Sequence, residues 1–202
     1  MAQSPEAQKF LDGIAALPSG PGVSLDGVLA KAIEDETVLR RLYANDRTSK
    51  RLENPYVGLV SVFDAPDAIR KTRARVVKDE EDLNAKHIFP LPEYKRRKDG
   101  EASMVQTLEE FQKNWSVFTE GSLSQLTDWS NVVASGGSVL GCLLPLSEKD
   151  KESKRTIRKY FHSEAYPTSD VDLFIWGLTP EQVSLYYSHS WFCTLIIARR
   201  LK

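Results

Sequence analysis

Two short stretches carry residue types that could do chemistry together. The first, NVVASGGSVLGCLLP (Asn131 to Pro145), sets Gly136-Gly137-Ser138 between a β-branched run and an apolar run. That order predicts a short strand, a glycine turn, a serine and an apolar helix. The second, SDVDLFIWG (Ser169 to Gly177), predicts a strand bearing Asp170 and Asp172. Side chains alternate along a strand, so both carboxylates fall on one face and Val171 and Leu173 on the other. A glycine turn entering a helix offers free N–H groups to phosphate oxygens, while paired carboxylates offer hard oxygen ligands to Mg²⁺. The two together point to the handling of a metal-bound polyphosphate.

The elements that must position these residues are legible from pattern. A helix is expected from about Pro5, with Phe10, Ile14 and Leu17 on one side. The SGPG run at Ser19 to Gly22 ends it. Ser24 reads as an N-cap for a helix running to about Ala44, with Leu25, Val28, Leu29, Ile33, Leu39 and Leu42 on its stripe. Pro55 to Phe63 is β-rich and predicts a strand. Arg70, Lys71, Arg73 and Arg75 form a basic cluster answered at once by Asp79 to Asp82, which reads as a self-compensating surface. Thr107 and Glu110 have capping-box spacing, and Phe111, Trp115 and Phe118 then recur on a core-facing stripe. Ser122 with Gln125 suggests a second helix start. Thr179 with Gln182 suggests a third, with Pro180 at the first helical position and the helix continuing through Phe192, Ile196 and Ile197. The polar segment around Lys149 to Lys159 reads as an exposed loop or short helix.

Composition bounds the answer. The chain has 202 residues, 27 basic and 28 acidic, for a formal net charge of -1. Nothing in that balance draws it to nucleic acid or anionic lipid, and nucleic acid is not expected as a partner. Cys142 and Cys193 lie in apolar patterns and read as buried thiols, while His87, His162 and His189 show no metal-ligand spacing. No signal-peptide pattern opens the chain, and no apolar run is long enough to span a membrane, so the cytoplasm or nucleus is the expected compartment.

Gly136-Gly137-Ser138 followed by Asp170-Val171-Asp172-Leu173 resembles the signature of the nucleotidyltransferase fold, the DNA polymerase β-like superfamily. A wider stretch from about Glu34 onward is similar to a family of fungal proteins that often carry ankyrin repeats elsewhere. RARVVKDEEDL (Arg73 to Leu83) and FTEGSLSQLTDWSNVVASGGSVL (Phe118 to Leu140) carry that second likeness, which brings no activity with it. The first resemblance covers only the last third of the chain and implies a partial nucleotidyltransferase-like core with a small sheet there. With the helical patterns that precede it, the expected fold is α+β, a largely helical N-terminal region leading into that core. Its segments would be an N-terminal helix and linker over residues 1–23, a helical or mixed region over 24–130, and the core over 131–202 with a charged insertion at 147–165.

The same resemblance implies roles. Asp170 and Asp172 would be the catalytic carboxylates and would bind Mg²⁺. Gly136, Gly137 and Ser138 would hold the triphosphate of a nucleoside triphosphate, and Arg155, Arg158 or Lys159 would reach its outer phosphates. The acceptor would be a hydroxyl on a protein or small molecule. A third acid completes such sites, and here it is expected either past Lys202 or from an unusual position such as Glu164 or Asp150. The alternative is a nucleotidyltransferase-like interaction or regulatory module without turnover.

Overall fold

The structure is a computed structural model that describes residues 4–18, 23–74, 94, 96–124 and 126–188. It is a helix-rich α+β fold with a two-stranded antiparallel sheet among the described residues. The chain divides into two compact units, Met1–Gln106 and Thr107–Lys202. The helix that starts at Thr107 therefore groups with the sheet, ahead of the boundary expected at Asn131.

In the first unit, α1 (Pro5–Ala15) starts on Ser4, whose hydroxyl accepts from the Ala7 N–H at 3.2 Å and the Gly58 N–H at 3.0 Å. It buries Ala7, Leu11 and Ile14, a face rotated slightly from the expected one. α2 (Asp26–Asn45) follows with Leu25, not the expected Ser24, at its N-cap, although the Ser24 hydroxyl accepts from the Asp26 N–H; Glu36 and Arg40 pair on its surface. The strand expected at Pro55 to Phe63 is instead a series of turns. The Asn54 side chain accepts from the Tyr56 N–H, and Gly58 takes φ +77°, so local polar bonding outweighs the β-prone composition. Arg70 does not lie on the charged surface expected of its cluster. Only 5% exposed, it donates to the Val62 and Ala65 carbonyls and pairs with Asp67.

The second unit opens with α3 (Leu108–Phe118), whose Thr107 hydroxyl accepts from the Glu110 N–H at 3.1 Å as its spacing predicts. The next expected helix, from Ser122, does not form among the described residues. Glu120 and Gly121 both take positive φ and turn the chain before a helix can propagate, and the Ser122 hydroxyl donates backward to the Thr119 carbonyl. The chain continues through β1 (Val132–Ser135), α4 (Gly137–Leu143), α5 (Glu148–Lys151), α6 (Lys154–Lys159), a π-helical turn (Tyr160–Ala165), β2 (Asp172–Ile175) and α7 (Pro180–Ser188). Thr179 and Gln182 exchange reciprocal side-chain–backbone bonds at the start of α7. The residues expected to extend α7, and Cys193, lie outside the described residues. Among the described residues no helix is long and apolar enough to cross a membrane.

The core of this unit is Val117, Phe118, Cys142, Leu146, Ile157 and Phe161, with Phe111, Trp115, Tyr160, Tyr166 and Val171 packed around it. The aromatic stripe of α3 faces it as expected: the Phe118 and Phe161 rings meet edge-on at 5.2 Å, and Phe111 stacks on Trp115 at 6.2 Å. Because Phe161 is fully buried against Phe118 and Tyr166, Phe161→Ala should cost about 3–5 kcal/mol by urea unfolding. Lys149→Ala, on the exposed insertion, should stay within about 0.5 kcal/mol of the parent. Similar losses for both would show that the ring cluster does not organise the unit.

Candidate functional site

β1 and β2 run antiparallel with Val132 opposite Ile175, Val133 opposite Phe174, Ala134 opposite Leu173 and Ser135 opposite Asp172. Exposure alternates residue by residue from Asp170 to Trp176. Val171 turns inward to the core, and Asp170 and Asp172 on either side of it are exposed. The regular strand itself begins at Asp172, so Asp170 precedes it rather than lying within it.

The sheet delivers Asp172 to the glycine turn. Gly136 has φ +82° and ψ −159°, a conformation that essentially only glycine adopts. A Cβ at this position would lie 2.5 Å from Asp172 Oδ2, so the carboxylate is seated against the Gly136 Cα. Gly137 is the first residue of α4, and a Cβ there would meet nothing within 4 Å. The first intrahelical donor is the Leu140 N–H, bonded to the Gly136 carbonyl. The N–H groups of Gly137 and Ser138 come before it and have no partner within the helix.

α4 is anchored from below. The buried Asn114 of α3 donates from Nδ2 to the Cys142 carbonyl at 3.2 Å, satisfying a group near the helix end that would otherwise lack a partner. Tyr166 packs against Gly141, its ring 3.0 Å from where a Cβ would stand. The Cys142 thiol, with no exposure, is pushed up to about 12 by burial, which removes it as a nucleophile at neutral pH.

The other residues expected at the site are placed as follows. Ser138 is 1% exposed, and its hydroxyl points back toward the Ser135 carbonyl at 3.4 Å. Arg158 reaches Glu120 through Nε and Nη2 at 2.9 and 2.6 Å. Lys159 pairs with Glu164 at 2.8 Å, a hydrogen bond that raises its pKa above the usual lysine value. Arg155 is exposed and makes no ion pair among the described residues. Asp150 accepts from the Ser147 hydroxyl at 2.5 Å. Among the described residues no three His, Cys, Asp or Glu side chains gather at one point, so neither Asp150 nor Glu164 forms a third member beside Asp170 and Asp172. Those two carboxylates have no hydrogen-bond or ion-pair partner among the described residues.

Sequence reasoning passed over two contributors. Asn114 holds α4 in place, and its signal was only a polar residue one position from Trp115 on a helix read for its aromatics. Phe174, exposed on the same face as Asp172, was legible in the alternation of DLFIW. Compared with known proteins, the chain matches no protein-family model, no curated protein and no solved structure.

The two glycines should respond differently to substitution. Gly136→Ala must leave the left-handed region or displace Asp172, and should lose about 1–3 kcal/mol in thermal or urea unfolding. Gly137→Ala has open space and a helical backbone, and should be neutral or gain about 0.5 kcal/mol. Equal effects would contradict the assignment of the turn's constraint to Gly136.

Proposed function

We propose that this chain binds a nucleoside triphosphate as its Mg²⁺ complex and transfers the nucleotidyl group to a hydroxyl on a protein or small molecule. The observation that carries the reading is the Asp172 carboxylate seated against Gly136, which joins an acidic strand face to an amide-bearing turn. Asp170 and Asp172 face solvent without partners among the described residues, and Mg²⁺ takes one or two such carboxylates alongside substrate phosphates. The residues therefore fit the ion. When bound, Mg²⁺ would neutralise charge developing on the phosphate oxygens.

The chain's own part is positioning. The turn's N–H groups hold the phosphates, and Gly137, with nothing within 4 Å of where a Cβ would stand, leaves the backbone open to close approach. The acceptor oxygen bonds to the α-phosphorus, the α–β anhydride bond breaks, and pyrophosphate leaves as the hydroxyl proton passes to water or a base. Of the three cations expected at the outer phosphates, Arg155 makes no ion pair among the described residues. Arg158 and Lys159 would first have to part from Glu120 and Glu164.

A second reading is a module that holds the nucleotide without turnover. It draws support from the engagement of Glu164 by Lys159 and of Asp150 by Ser147, which occupies the acids that could have served as a third ligand. Incubation with labelled nucleoside triphosphates and Mg²⁺ or Mn²⁺ separates the two. Transfer should fall to background in the D170A/D172A double variant. Equal incorporation by parent and variant rejects catalysis at these residues, whereas metal-dependent binding without incorporation selects the second reading.

A further inference from the structure

We infer that the solvent-facing side of β2 also receives the nucleobase of the same nucleoside triphosphate, with Phe174 as its stacking platform. The inference rests on the phosphate reading of Asp172 and the Gly136 turn, and it adds the far end of the ligand. Phe174 is 56% exposed, and its cross-strand partner Val133 is 44% exposed, so the two form a continuous apolar floor on the outward side of the sheet. Single exposed apolar residues are ordinary on a protein surface. A phenylalanine and a valine directly opposite each other, in register with an acidic residue at the next outward position, are more specific.

Register supplies the spacing. Phe174 and Asp172 are two residues apart on one face, so their side chains leave the strand roughly 7 Å from one another. That interval is what a ribose spans between its base and its α-phosphate. The chemistry of the two ends also matches one ligand class. The carboxylate end offers oxygen ligands to a cation, and the aromatic end offers a flat π-face that every nucleobase can use. A Mg²⁺-bound nucleoside triphosphate carries both features at the required separation. An apolar peptide or a second copy of the chain would leave the acidic end unanswered.

Calorimetry on the full chain tests this with two probes, Mg²⁺–tripolyphosphate, which has no base, and Mg²⁺–ATP. ATP should bind about tenfold more tightly than tripolyphosphate. Phe174→Ala should remove that difference while leaving tripolyphosphate affinity unchanged, and Phe174→Trp should keep it. Near-UV circular dichroism checks that each variant retains its fold. If tripolyphosphate binds in an Asp172-dependent way but ATP binds no better, or if Phe174→Ala weakens both probes alike, the stacking platform is overturned and the phosphate site stands. If neither probe binds, the phosphate site falls and the platform with it. If Phe174→Ala instead dissociates a self-associated chain in sedimentation, a second copy covers this face and the proposal is wrong.

Discussion

A missing side chain holds this unit together. At Gly136 the backbone occupies a region closed to residues with a Cβ, and the space a Cβ would fill is taken by the carboxylate of Asp172. The exit of β1 and the entry of β2 are thereby pressed together at one point. The antiparallel register sets Ser135 opposite Asp172 and so brings that carboxylate to the residue at which α4 starts. A larger residue at 136 would have to move either the helix or the strand.

The contact holds only because both partners are fixed from behind. α4 is a short helix of seven residues, too short to be stable by itself. It is stabilised by burial of Cys142 and by the bond from Asn114 to its terminal carbonyl. On the strand side, Val171 enters the same aromatic core and so sets which way its neighbours face. Packing thus determines the chemistry of the surface: the inward step of one valine places a carboxylate outward on each side of it.

Much of this was legible in the sequence wherever the cause was local. The N-cap at Thr107, the capping box at Thr179, the aromatic stripe of α3, the alternation across Asp170 to Trp176 and the glycine turn each depend on residues within a few positions. The failures had other sources. At Pro55 to Phe63, β-prone composition lost to an Asn54 side-chain bond and a left-handed Gly58. After α3, two consecutive positive-φ residues cancelled the helix that Ser122 seemed to announce. The pairing of Arg158 with Glu120 joins residues 38 positions apart, and the inward turn of Ser138 depends on how α4 packs. Neither leaves a trace in local pattern.

The π-helical turn at Tyr160–Ala165 carries a consequence for how this fold can change its length. The Tyr166 N–H bonds to the carbonyl of Phe161, five residues back, at 2.9 Å. In an ordinary α-helix, positions five apart diverge by more than a third of a turn, yet here both rings reach Phe118. Deleting one residue from this turn would regularise the helix and at the same time swing Tyr166 off Gly141. Evolutionary gaps are therefore better tolerated in the exposed α5–α6 insertion than in the turn that follows it, although the turn looks locally like the defect.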